Sequence, residues 1–359
     1  MGIGTGFTCS TIKYEASHMT THPLDTYNFR QMILDSPDQF MVGFKIAQDV
    51  KLPGTFKSVM ISGMGGSALP GNLFRVYLID LARREKTAGE RVAIFQNRFY
   101  GLPYESFDEC LNFICSYSGN TEETIAAFEE AIEHRLPCVG FSSGGKVESL
   151  CREHGIPHVD MPMPVEGFQP RMGTGYFIGA MYQVLVNQGM VPDTTGEMLR
   201  SVGSLKAKLA EYEEMGRALA KKLVGTTPVI YSTVRYKSVA MIWKIKINEN
   251  AKTPAFWNFF PELNHNEMVG FTLPQAKFTV VMLRDPDDHP KNRKRFEVTA
   301  GLLREKGVAV EIVEMPGETV FERMFGSILI ADFASYYLAL EYGQDPTPVD
   351  MVEQLKKML

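Results

Sequence analysis

Two short segments concentrate small hydrogen-bond donors in a way that suits an anionic ligand. Ser62-Gly63-Met64-Gly65-Gly66-Ser67 follows the apolar run Ser58-Val59-Met60-Ile61, and Ser116-Tyr117-Ser118-Gly119-Asn120-Thr121 follows Leu111-Asn112-Phe113-Ile114-Cys115. Each reads as a strand entering a small-residue turn that opens a helix. Such turns converge backbone N–H groups and hydroxyls, and the helix N-terminus adds favourable partial charge. In the first, the backbone of Gly65 and Gly66 is offered to the ligand; in the second, Ser116, Ser118 and Thr121 carry hydroxyls within one turn. A nucleotide-binding fold usually advertises one such turn, so two of them point to a phosphorylated small molecule.

Gly63-Met64-Gly65-Gly66-Ser67-Ala68 also fits the dinucleotide fingerprint G-x-G-x-x-A. That reading needs a carboxylate after the second strand to hold a ribose, and Arg91-Val92-Ala93-Ile94-Phe95 runs instead into Gln96-Asn97-Arg98. Arg98 would suit an NADP version, which leaves an NADP-dependent oxidoreductase as an alternative. No Walker motif G-x-x-x-x-G-K-[ST] occurs. The second turn also has a plain reading as an ordinary Ser/Gly turn with Asn120 or Thr121 as helix cap. Glu122 and Glu123 favour that reading, because first-turn carboxylates compete with a bound anion.

Further along, Arg171 in Gln169-Pro170-Arg171-Met172-Gly173 could clamp an anionic intermediate, although an arginine at a helix start is more often a surface residue. Glu249 and His265, each flanked by amides in Asn248-Glu249-Asn250 and Asn264-His265-Asn266, could divide proton-transfer work. His265-Asn266-Glu267 matches the H-x-E of zinc deaminases, but no P-C-x-x-C accompanies it. Seven scattered histidines show no metal-ligand spacing, and no metal or other cofactor is expected.

The elements that must position these groups alternate. Strands are expected at 57–62, 91–95, 111–115, 137–141 and 156–160, with helices at 67–84, 121–135, 145–154 and 172–188. After a linker near 189–203 the rhythm restarts: helices at 204–223, 233–247, 290–306 and 318–341, and strands at 228–231, 277–283 and 308–313. Such alternation argues for parallel sheets covered by helices on both faces, an α/β architecture of two doubly wound domains. The segment 251–271 breaks the rhythm as an irregular stretch mixing Phe256, Trp257, Phe259 and Phe260 with polar residues.

At 359 residues the chain can bury two cores, and 45% hydrophobic with 22% charged residues is ordinary for a globular protein. A net charge of −5 gives no footprint for nucleic acid, and Lys291-Asn292-Arg293-Lys294-Arg295 reads as a solvated helix face. Five cysteines without a C-x-x-C pair suit a reducing compartment. No apolar run is expected to reach transmembrane length and the N-terminus has no signal pattern, so a soluble cytoplasmic protein is expected.

Taken in order, Gly63-Met64-Gly65-Gly66-Ser67, Ser116 through Thr121, Pro170-Arg171, Asn248-Glu249-Asn250, Pro261 through Glu267 and the terminal Leu355-Lys356 resemble the bifunctional phosphoglucose/phosphomannose isomerase family, built from two sugar-isomerase (SIS) domains. The resemblance covers about residues 25–359. Residues 1–22, polar and rich in Thr, Ser and Gly, read as a flexible extension outside it; the resemblance implies flavodoxin-like SIS domains at 23–195 and 196–345, and a C-terminal helix at 346–359 returning to the active site. It implies interconversion of glucose 6-phosphate and mannose 6-phosphate with fructose 6-phosphate, without a metal, in a homodimer that shares its active sites. Ser67, Ser116, Ser118 and Thr121 would then hold the phosphate, and Glu249 would move a proton between C1 and C2. Arg171 would stabilise the enediolate. His265, supplied by the partner subunit, and Lys356 would assist ring opening. A SIS module that senses sugar phosphates without turnover, or an isomerase of another sugar phosphate, are the alternatives.

Overall fold

The computed structural model describes residues 22–84 and 92–358. Apart from residue 22, the N-terminal extension lies outside these residues, as do Cys9 and Arg91. Runs such as Val59-Met60-Ile61 have no polar alternation, as expected of parallel strands buried on both faces. β1 (Ser58–Gly63), β2 (Ala93–Asn97), β3 (Cys110–Cys115), β4 (Cys138–Ser142) and β5 (His158–Asp160) pair in parallel in the order β2-β1-β3-β4-β5. β6 (Thr227–Thr233), β7 (Phe256–Phe260), β8 (Phe278–Arg284) and β9 (Ala309–Glu314) form a second parallel sheet in the order β7-β6-β8-β9. In both sheets the winding reverses beside the first strand. That places a topological switch point, where α/β sheets take ligands, between β1 and β3 and again between β6 and β8.

Helices α1 (Phe29–Asp35) and α2 (Gln39–Ile46) precede the first sheet, and α3 (Gly65–Arg84), α4 (Glu122–Glu133), α5 (Gly145–His154) and α6 (Thr174–Asn187) accompany it. α7 (Thr195–Ala207) and α8 (Leu209–Leu223) lead to the second sheet, which carries α9 (Lys237–Ala251), α10 (Pro290–Glu305) and α11 (Val320–Glu341), before α12 (Asp350–Met358) ends the chain. The Asp25 carboxylate starts α1 by accepting the Phe29 and Arg30 N–H groups. One continuous core joins the halves, running from Phe29 and Tyr182 through Trp243 to Met324 and Phe333. Contrary to the expectation that no run reaches transmembrane length, α11 is long and apolar enough to cross a bilayer, yet it is mostly buried and serves as the central core helix.

Expectations about two segments need correction. The stretch 251–271 is not wholly irregular: Phe256–Phe260 is an edge strand in register with Val229–Thr233. Its polar Asn258 hid the strand pattern; that side chain hydrogen-bonds the Glu267 carboxylate. The helix read at 204–223 is two helices that break at Lys208, and the first already begins at Thr195, so the linker is shorter than 189–203. The basic run on α10 is solvated as read, with Lys291, Arg293 and Lys294 exposed.

Candidate active site

The two donor-rich turns meet at the first switch point. α3 opens directly from β1, and Gly65 takes a left-handed φ of +49° at the corner. Gly66 passes so close to the chain at 170–171 that a Cβ there would stand 2.6 Å from the Arg171 nitrogen. Only glycine fits. Ser67 is buried, and its Oγ accepts the Tyr117 N–H at 3.0 Å, which ties the first turn to the second.

In the second turn Ser116 is fully buried, with its Oγ 2.8 Å from Thr121 Oγ1. Gly119 has φ +71°, and an added Cβ would fall 1.8 Å from the Gly144 carbonyl, so the turn is locked against the loop before α5. Ser118 remains exposed; its Oγ accepts the Asn120 N–H at 3.3 Å. Thr121 precedes α4 in an extended conformation without capping the helix through its side chain. The first N–H groups of α4 are therefore available to an anion. Glu122 is exposed, as an anion at this helix end requires.

Arg171 is 1% exposed, unlike the surface arginine that a helix start usually carries. Its Nε donates to Asn250 Oδ1 at 2.7 Å, and Nη2 donates to the carbonyls of Pro346 and Thr347 at 2.9 and 2.8 Å. Nη1 makes the two longest contacts, 3.2 Å to Gln169 Oε1 and 3.4 Å to Glu249 Oε2. Burial lowers the guanidinium's pKa, opposed by the charges of Glu249 and Asp332. Glu249 sits in the last turn of α9 with 31% of its side chain exposed, so its carboxylate meets both solvent and the arginine. The sequence-predicted Gly66, Ser67, Ser116, Thr121, Arg171 and Glu249 thus form one connected region where the halves meet.

Two predicted residues stand apart in the single chain. His265 is exposed in the 3₁₀ turn Glu262–His265 that follows β7. Lys356 is exposed on α12 and pairs with Glu353 at 2.7 Å. No hydrogen bond or ion pair among the described residues joins either one to the Arg171–Glu249 pair. The segment before α12 does reach that pair, through the Pro346 and Thr347 carbonyls. Among the described residues, no group of three His, Cys, Asp or Glu side chains could hold a metal ion.

A small cavity beside Arg171, about 30 Å³ and lined also by Gln39, Lys246 and Asp332, has room for a water but not for a sugar phosphate. Glu249 and Ser118, by contrast, both reach solvent. Sequence reasoning placed Asn250 beside Glu249 but gave no role to it or to Lys246, Lys252 and Asp332, which surround the arginine. Lys252 donates to the carbonyls of Asn250 and Asp345 at 3.0 and 2.6 Å. Burial of its ammonium, with Arg171 nearby, lowers its pKa to about 8. A single acid inside the apolar run Ile328–Ala334, and a lysine flanked by Ile245 and Ile247, were the available signals.

The profile of the bacterial phospho-glucose isomerase C-terminal SIS domain matches residues 213–359. The bifunctional phosphoglucose/phosphomannose isomerase of Caldicellulosiruptor bescii is 32% identical over 343 residues, covering 92% of this chain and 98% of that one. The protein of the same name from Aquifex aeolicus is 32% identical over 307 residues, 85% of this chain and 91% of that one. Among solved structures, the tagatose-6-phosphate ketose/aldose isomerase of Escherichia coli aligns with a TM-score of 0.65 at 16% identity, covering 89% of this chain and 95% of that one, a likeness of fold. With its parallel sheets, joined donor turns and relatives matched almost end to end, this chain belongs to the bifunctional phosphoglucose/phosphomannose isomerase family.

Proposed function

We propose that this protein interconverts glucose 6-phosphate and mannose 6-phosphate with fructose 6-phosphate through a cis-enediol(ate). The observation that carries the reading is the half-exposed Glu249 carboxylate held 3.4 Å from the buried Arg171 guanidinium, whose own backbone packs on the first donor turn. A proton beside a carbonyl is weakly acidic, so its removal needs a positioned base and a cation for the developing oxyanion. Glu249 takes the proton from C2 of the open-chain aldose as the carbonyl oxygen at C1 gains one. It then returns the proton to C1 while the hydroxyl at C2 gives its proton up and becomes the ketose carbonyl. The oxyanion displaces one of the two long Nη1 contacts of Arg171, the weakest of its set. The phosphate rests on Ser67, Ser116, Ser118, Thr121 and the backbone of Gly65 and Gly66. Far from the reacting carbons, it supplies binding energy that orients them.

Ring opening requires a further acid/base pair, assigned to His265 and Lys356. In a homodimer His265 comes from the partner subunit, and α12 folds over the site from its anchor at 346–347. Met351, Leu355 and Met358 are all exposed on one stripe of α12, apolar surface that suits such docking. The SIS halves are assigned to 23–195 and 196–345. The four cysteines among the described residues, Cys110, Cys115, Cys138 and Cys151, are free and buried, in keeping with a cytoplasmic location.

The test is formation of fructose 6-phosphate from each aldose phosphate with EDTA present. Wild type should turn over both sugars, and Glu249→Gln should lose about 10²–10⁴-fold in kcat. Light scattering on the same preparation should give twice the chain mass. Binding of the sugar phosphates without turnover by wild type would replace the enzyme reading with a sensor.

A further inference from the structure

The buried lysine–aspartate pair beneath Arg171 has no part in the chemistry just described. Lys246 and Asp332 are only 2% and 5% exposed, with Nζ 2.7 Å from Asp332 Oδ1. The same ammonium donates at 2.8 Å to the backbone carbonyl of Arg171 and lies 3.7 Å from Met172 Sδ. Burial raises the Asp332 pKa, while Lys246 opposes the rise.

Helix geometry extends this pair into a ladder. Lys246 and Asn250 are four apart on α9, and Asp332 and Ser335 are three apart on α11, so each pair shares a helix face. Asn250 donates to Ser335 Oγ at 2.9 Å while accepting the Arg171 Nε–H at 2.7 Å. One rung grips the backbone of Arg171 and the other grips its guanidinium. Glu249 projects from the same turn of α9.

Stability alone does not account for the charged rung. Taking two charges out of water costs about as much as their attraction returns, and well-packed apolar substitutes are often as stable or more so. What an apolar pair cannot do is hold a backbone carbonyl in place. We infer that Lys246 and Asp332 are positioning residues. They fix the backbone at Arg171, and so the separation of its guanidinium from Glu249, for the proton transfer of the proposed isomerase. This inference rests on that function.

The decisive variant is the double substitution Lys246→Met with Asp332→Leu, which removes both charges and leaves the volume filled. Its kcat should fall on the order of 10²-fold with little change in KM, because a small misplacement of reacting groups carries that penalty. Inhibition by an aldonate phosphate, whose carboxylate mimics the enediolate, should weaken in proportion to kcat. The thermal midpoint should hold or rise. Retained kcat in the folded double variant overturns the inference while leaving the enzyme reading intact. Equal weakening of substrate and mimic also overturns it, since that marks a merely structural role. Inactivity of the wild type overturns both readings. Asp332→Asn, nearly isosteric, gives the same comparison if the double variant does not fold: it should lower kcat and mimic affinity together, and unchanged values overturn the inference.

Discussion

The two sheets wind in the same order, yet their switch points hold opposite contents. Between β1 and β3 the strand ends carry Gly63, Gly65, Gly66, Ser67, Ser116 and Ser118, small residues that leave backbone donors uncovered. Between β6 and β8 the corresponding ends carry Arg235 and Asp285. Asp285 is 1% exposed and receives Arg323 at 3.0 Å and Arg235 at 3.5 Å, while Arg323 also reaches Asp287 at 2.6 Å. The second half supplies its own anion where the first is built to receive one. Arg235 further spans to Asp80 of α3 at 3.1 Å, so this closed point helps to fasten the halves together. Topology therefore prepares a site twice, and side-chain size and charge determine which site binds.

The largest effect should come from emptying the closed point. Asp285→Ala leaves two arginines without their shared partner, and should destabilise the fold by about 3–5 kcal/mol, read from urea unfolding. KM for the sugar phosphates should not move. A raised KM with unchanged stability would mean that the second point, too, serves a ligand.

A smaller effect is expected at the open point. Ser118→Ala removes one hydroxyl from the phosphate, and a hydrogen bond to a charged group is worth about 1.5–3 kcal/mol, so KM should rise roughly 10- to 100-fold with little change in unfolding midpoint. The exposed Ser118 has no buried role that would complicate the result. An unchanged KM would remove Ser118 from the cradle.

The smallest effect sharpens the electrostatic side of the comparison. Glu122→Gln takes a competing charge away from the N-terminus of α4, where such a charge is worth about 0.3–1 kcal/mol. KM should fall about 2- to 5-fold at low ionic strength, and the gain should shrink as salt is added. No salt dependence would place the phosphate away from this helix end.

How legible the molecule was varied with range along the chain. β1 and β4 read as short apolar runs, β3 as one interrupted only by Asn112, and α4 and α5 as amphipathic periods, all local signals. β7 did not, because an edge strand whose aromatic run is broken by Asn258 looks like a loop when its partner, β6, lies more than twenty residues away. Likewise, Lys208 ends α7 where the charged pattern reads as continuous.

The same division runs through the site. The donor turns were legible from local sequence, because Gly and Ser after an apolar strand dictate backbone geometry within six residues; Arg171 and Glu249 stood out as a candidate clamp and base, and the resemblance to a family gave them their roles. Only the tertiary structure decided that Arg171 is buried rather than on the surface, and that carbonyls at 346 and 347 hold it from the far end of the chain. It also decided that Lys246 and Asp332, separated by 86 positions, meet at 2.7 Å beneath it. Hydrogen bonds and charge pairs act over a few ångströms of space, and distance along the chain carries no record of which buried groups will come that close.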